Sequence, residues 1–182
     1  MYEVEQKYRV PSFTAIEAAL AALGATVQPT VTQVDTYYAH PLRNFAESDE
    51  ALRTRLVGDQ MSVTYKGPKL AHETKTRREI ELPLGAGLDV AQQFGELLRT
   101  LDFSPVREVK KRRQRLVILW QGENVEAALD TVEQLGEFVE LELIVDEAGL
   151  QAAQQTIADL AQYLGLRQPE RRSYLELLLD GG

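Results

Sequence analysis

The chain has 182 residues, a net charge of -8 at neutral pH and a pI near 4.9. It has no cysteine, which excludes disulfides, thiolate metal sites and cysteine nucleophiles, and no apolar run approaches the ~20 residues of a membrane-spanning helix. The acidic total argues against general nucleic-acid binding, and the N-terminus lacks the basic-then-apolar layout of a signal peptide, so a cytoplasmic location is expected.

Period-two alternation predicts a first strand over 2–10, then a helix over 12–23 with Ser12 as its N-cap and Gly24 as its stop. Strands follow at 32–40, 50–57, 60–66 and 76–83, the second and third joined by a hairpin turn at Gly58-Asp59. "GAG" at 85–87 leads into a helix over 89–101. Three more strands are predicted at 106–121, 124–132 and 137–146, with turns at "QGEN" and at "LGE". Helical patterns close the chain at 147–164, stopped by Gly165, and near 170–179. No repeat or low-complexity tract appears. Many strands with interspersed helices make an α+β domain. About eight strands suit an antiparallel β-barrel with helices packed on its outside. The expected organisation is one domain over 1–182, with barrel strands to about 146 and C-terminal helices over about 147–179.

The basic residues cluster in "LRTR", "TKTRRE" and "VKKRRQR", each inside a predicted strand. In a strand, residues two apart share a face. Glu3, Glu5 and Lys7 therefore point one way, opposite Val4, Gln6 and Tyr8. Arg53 and Arg55 share a face, as do Thr64 and Lys66, then Glu79 and Glu81 with Arg77. Lys111 and Arg113 share one with Val109 and Arg115, and Glu140 and Glu142 lie opposite Val139, Leu141 and Leu143. Asp130 sits between Leu129 and Thr131. One strand alone reads as apolar-in, polar-out alternation, the default for an antiparallel sheet. Together the strands say more, because their polar faces carry Glu, Arg and Lys with few Ser, Thr or Gln.

In a barrel covered by helices those faces line a lumen. Buried like charges are costly unless something compensates them. A polyphosphate with divalent cations would do so: Arg and Lys neutralise its oxygens, and carboxylates hold the metal. All-oxygen ligands, without a thiolate or histidine cluster, favour Mg²⁺ or Mn²⁺.

The ordered series Glu3-Val4-Glu5-Gln6-Lys7, "DTYY" at 35–38, "DEALRTR" at 49–55, "TYKGP" at 64–68, "RREIE" at 77–81, "VKKRR" at 109–113 and "LDTVEQLGEFVELE" at 129–142 resembles the CYTH superfamily, the triphosphate tunnel metalloenzymes. It looks most like the branch of the class IV adenylate cyclases and thiamine triphosphatases. The resemblance implies an eight-stranded tunnel that binds a triphosphate with divalent metal. By position it makes Lys7, Arg53, Arg55, Lys66, Lys111 and Arg113 the triphosphate-binding bases. Glu3, Glu5, Glu79, Glu81, Asp130, Glu140 and Glu142 become the metal-binding acids. Glu3, Glu5, Lys7, Lys111 and Asp130 are the catalytic candidates. The implied substrate is ATP, converted to cyclic AMP and pyrophosphate. The alternatives are hydrolysis of thiamine triphosphate or tripolyphosphate, and a binding module without turnover. No nucleic acid or membrane is expected as a partner, and a homodimer is the default for a small enzyme.

His40 and His72 have no partner at metal-ligand spacing and are expected to be non-catalytic. Tyr37 and Tyr38 read as packing residues. Tyr174 is expected to dock the last helix, a place at the tunnel mouth being the lesser reading. The segment 69–77 lacks apolar periodicity and reads as a loop at a tunnel entrance.

Overall fold

A computed structural model of the chain describes residues 2–68 and 78–181. Its elements in order are β1 (Tyr2–Val10), α1 (Thr14–Ala22), β2 (Thr26–Val27), β3 (Val31–Ala39), β4 (Ala51–Val57), β5 (Gln60–Lys66), β6 (Glu79–Ala86), α2 (Leu88–Thr100), β7 (Ser104–Trp120), β8 (Glu123–Val132), β9 (Gly136–Val145), α3 (Leu150–Tyr163) and α4 (Tyr174–Asp180). All strands join one antiparallel sheet in the order β1-β9-β8-β7-β3-β4-β5-β6, with β2 beside β7. The connections between β4 and β5 and between β7 and β8 are two-residue turns. In the second, Gln121 and Gly122 both take positive φ, as a type I′ turn requires.

Among the described residues the sheet does not close into the expected barrel. β1 and β6 end the sheet and share no ladder among the described residues. Carboxylates stand at this seam. Glu3 of β1 is hydrogen-bonded to Glu79 of β6, and Lys66 pairs with Glu79 and acts on Glu3. The two edges therefore meet through charged side chains rather than main-chain bonds.

The sheet is strongly curled and its two faces differ. On the convex face Val4 and Tyr8 of β1 join Leu116, Ile118, Val125, Ala127, Val139 and Leu141 in the main core. α1 covers this core with Ile16 and Leu20, one turn apart. α3 covers it with Ala153, Ile157, Leu160 and Ala161, a spacing that makes a continuous apolar stripe. Each fully buried leucine or isoleucine here contributes about 1.5–3 kcal/mol. Ser12 does not cap α1; its Oγ accepts from the Thr14 amide at 3.2 Å, and Phe13 holds the cap position without a side-chain bond.

A second, smaller core lies on the concave face. There α4 packs Tyr174, Leu177 and Leu178 against Tyr37, Val109, Val132 and Phe138. Ser173 and Glu176 form a reciprocal capping box that starts α4. This helix closes one end of the curled sheet. No helix among the described residues is long and apolar enough to cross a membrane.

Candidate active site

The concave face encloses a cavity of about 1010 Å³. Strand parity puts Glu3, Glu5 and Lys7 of β1, Arg53 and Arg55 of β4, Lys66 of β5, Glu79 and Glu81 of β6, Lys111 and Arg113 of β7, and Glu140 and Glu142 of β9 on its walls. The walls compensate much of their own charge. Lys66 pairs with Glu79, Arg113 with Glu140, and Thr64 donates to Glu81 at 2.9 Å.

Two buried aspartates anchor the bases from behind. Asp35 directly faces Arg55 across the β3–β4 ladder. It takes a bidentate pair from Arg55 (Nε and Nη2, both 2.7 Å) and a longer bond from Arg53 Nη1 at 3.3 Å. Burial alone would raise the Asp35 pKa, yet the two guanidiniums hold it well below the usual carboxylate range. Asp130 is fully buried and takes four bonds: Arg113 Nε at 2.7 Å and Nη2 at 2.6 Å, Lys111 Nζ at 3.0 Å, and the Tyr174 hydroxyl at 3.0 Å. A bidentate guanidinium clamped in this way loses little further freedom on meeting a phosphate. Burial, with Arg113 alongside, draws the Lys111 pKa down to about 8.

Glu3, Glu5 and Glu142 converge: one carboxylate oxygen from each lies within 4.8 Å of the others. Burial, with Glu5 and Glu79 adding to it and Lys66 opposing it, raises the Glu3 pKa to about 7. Burial, and then Glu3, Glu140 and Glu5 against the opposing pull of Arg113, raises that of Glu142 to about 8. Three crowded carboxylates, with Glu3 and Glu142 resisting ionisation, are the donor set that a hard divalent cation relieves. Among the described residues two buried polar atoms of the inner face, Arg53 Nε and Gln33 Oε1, have no hydrogen-bond partner.

At the closed end Lys7 is 1% exposed. Its Nζ donates to the Arg172 carbonyl at 2.5 Å and lies 4.1 Å from the centre of the Tyr174 ring. Its own carbonyl accepts from the Glu170 amide at 2.7 Å.

The structure thus brings together every base expected from the sequence and all the acids but one. Asp130 lies in the wall behind Lys111 and Arg113, not at the cavity. Among the described residues Glu3, Glu5 and Glu142 converge on a point; Glu79 meets Lys66 and Glu3, Glu81 meets Thr64, and Glu140 meets Arg113. Sequence reasoning missed Asp35 and Gln33 as members of the inner face, although both share the parity of Tyr37. Tyr174, expected as a docking residue, both docks α4 and lines the cavity. Arg115 sits at the rim with Glu126, 3.2 Å away. Arg77, His72 and the loop over 69–77 lie outside the described residues.

Known proteins resemble this chain over almost its whole length. A Methanocaldococcus jannaschii protein, provisionally named an adenylate cyclase, is 32% identical over 180 residues, covering 97% of this chain and 98% of its own. The adenylate cyclase CyaB of Aeromonas hydrophila is 33% identical over 183 residues, covering 97% and 88%. A Pyrococcus horikoshii protein of solved structure superposes with a TM-score of 0.86 at 35% identity, covering 99% of each chain. The model of the CYTH domain matches residues 1–174, almost the whole length over which the curled sheet, its charged wall and the start of α4 are built, and the chain belongs to the CYTH domain family.

Proposed function

We propose that the protein is a divalent-metal-dependent enzyme that converts ATP to cyclic AMP and pyrophosphate. The observation that carries this reading is the convergence of Glu3, Glu5 and Glu142 in the same cavity as the basic side chains of Lys7, Arg53, Arg55, Lys66, Lys111 and Arg113. A triphosphate needs the cations; the carboxylate triad suits a metal. Members of the family act in general on small-molecule triphosphates with metal, and the named curated relatives carry adenylate cyclase names.

Arg53, Arg55, Lys111 and Arg113 would hold the phosphate oxygens in register, with Lys7 and Lys66 completing the ring of positive charge. Glu3, Glu5 and Glu142 would hold Mg²⁺ or Mn²⁺, which when bound supplies charge neutralisation at the reacting phosphate. The ribose 3′-oxygen forms a bond to the α-phosphorus, the bond from that phosphorus to the bridging oxygen of the β-phosphate breaks, and its electron pair leaves with pyrophosphate. Charge accumulates on the leaving oxygens, where prepositioned guanidiniums are most effective. Lys111, with its pKa drawn down to about 8, would in its neutral form accept the hydroxyl proton at Nζ. Asp130 acts through Lys111 and Arg113, setting their positions.

Incubating the protein with ATP, thiamine triphosphate or tripolyphosphate, each with Mg²⁺ or Mn²⁺, and resolving the products tests the proposal. Cyclic AMP with pyrophosphate supports it. Orthophosphate instead would make the protein a triphosphatase, and tight binding without turnover would make it a binding module.

A further inference from the structure

The connection over 40–50 joins β3 to β4 and, with the ends of both strands and α4, walls a second cavity of about 570 Å³. It contains no helix or strand and is folded by its own side chains. Two fastenings hold it. At its start His40 Nδ1 accepts from the amides of Leu42 (3.0 Å) and Arg43 (3.1 Å). Two aromatic rings keep the imidazole in place, Phe45 at 5.5 Å and Phe103 at 5.1 Å between centres. At its end Glu50 accepts from Ser48 Oγ at 2.6 Å, from Arg43 Nη2 at 2.8 Å and from the Tyr65 hydroxyl on β5. The Glu50 amide also donates to the Phe45 carbonyl at 2.9 Å.

The two fastenings respond differently to acid. A ring nitrogen that accepts hydrogen bonds carries no proton. Protonation of His40 at Nδ1 therefore removes both bonds and sets a donor against two other donors. The Glu50 carboxyl is held below its usual value by Ser48 first and then by Tyr65, so mild acid leaves that end ionised. The rings against His40 bring no charge, although Asp102 precedes Phe103 in the chain. The charged or titratable groups on the cavity walls are Tyr37 and Tyr38 of β3, Arg43, Asp49 and Glu50 of the connection, Lys66 of β5 and Glu176 of α4. Of all these side-chain types, imidazole is the one that ordinarily changes charge between pH 5 and 8.

We infer that His40 is a pH-operated latch: neutral, it holds the connection folded against the second cavity, and protonated, it frees the stretch over 41–44 while Glu50 keeps the far end fastened. His40, Arg43 and Glu50 all stand outside the charged cavity. The latch is therefore independent of what that cavity binds. Acid opens one wall of the second cavity and leaves the strands that carry Arg53, Arg55, Lys111 and Arg113 paired as they are.

NMR titration of the full chain between pH 5 and 8 tests the latch. The chain has two histidines, so the imidazole signal missing from a His40 variant is that of His40. In the unmodified protein the amide shifts of Leu42 and Arg43 should move with the midpoint of that imidazole. Their protection against hydrogen exchange, with the intrinsic rate divided out, should fall about tenfold from pH 8 to pH 5. The Glu50 amide should change less than about twofold, since its bond does not involve the latch. His40→Asn offers a side-chain oxygen to the same two amides and does not titrate. Its connection should be as well protected at pH 5 as at pH 8. His40→Phe keeps the ring contacts without the acceptor, and its Leu42 and Arg43 amides should be unprotected at both. Amide shifts that do not follow His40 in the unmodified protein, or a pH response that survives in His40→Asn, would overturn the latch.

Discussion

Loading the carboxylate triad with Mn²⁺ should expel protons, and their number follows from the environment of the triad. At pH 7 Glu3, with its pKa near 7, is about half protonated, and Glu142, near 8, is about nine-tenths protonated. Metal binds carboxylates in their ionised form, so roughly 1.4 protons should leave per ion at pH 7 and roughly 0.6 at pH 8. The two groups interact, so the total rather than either share is the observable. The affinity for Mn²⁺ should accordingly climb by about two to three decades between pH 6 and pH 8. Calorimetric titration at pH 7 in two buffers of different ionisation enthalpy reads the proton count directly. In Glu142→Gln the count should fall to about 0.5 or below, because removing that charge also eases the ionisation of Glu3. A count near zero in the unmodified protein would refute the picture of a buried, mutually repelling triad. The same linkage sets the stability of the metal-free protein. Both carboxyls are raised above their unfolded value of 4.5. The stability they contribute is therefore full below that value and is lost as pH rises through about 7 to 8. Mn²⁺ should restore it, with the larger gain at pH 8 than at pH 6.

Three further outcomes are expected. Glu5→Ala should lower turnover at least ~100-fold while leaving the thermal unfolding profile of the protein in place; unchanged activity would count against the metal role of the triad. Asp130→Asn should cost about 2–4 kcal/mol in urea unfolding, since it leaves Lys111 and Arg113 buried with one fewer counter-charge; a loss below ~1 kcal/mol would show that Glu140 and Glu142 suffice. Tyr174→Phe keeps the ring beneath Lys7 and removes one hydrogen bond, so about 1 kcal/mol should be lost by the same measurement. Tyr174→Ala should lose about 3–5 kcal/mol, and equal effects of the two changes would contradict the packing described for α4.

The inner face was legible in the sequence because strand parity is rigid: a two-residue repeat of Glu, Arg or Lys has to share a side. Lys111 and Arg113 point inward while Lys110 and Arg112 stay exposed, as alternation demands. What alternation does not contain is which wall residue meets which. Asp35 was passed over because its partner Arg55 is 20 residues away, and only the β3–β4 register places the two opposite each other. Asp130 carries the right charge and parity for the cavity but sits too deep, held by four donors, to face it. The seam between β1 and β6 was also beyond reach. Whether two terminal strands pair depends on the summed curl of all the strands between them, and no single segment encodes that sum. Helix ends were read to within a few residues, the start of α1 being displaced because Ser12 bonds locally to Thr14 rather than to the helix.

The grip of the C-terminal segment on Lys7 has a consequence for biogenesis. Both the carbonyl and the ammonium of Lys7 are held by residues 170–172, the ammonium by a bond spanning 165 positions of sequence. Synthesis proceeds from the N-terminus, so β1 waits on the ribosome through almost the entire translation of the matching stretch before its lysine can be seated. A nascent chain short of Tyr174 has its charged strands but one open end, and Asp130 there lacks one of its donors. Closure of that end of the charged cavity would then arrive abruptly, with the residues that lead into α4, rather than build up as the sheet grows.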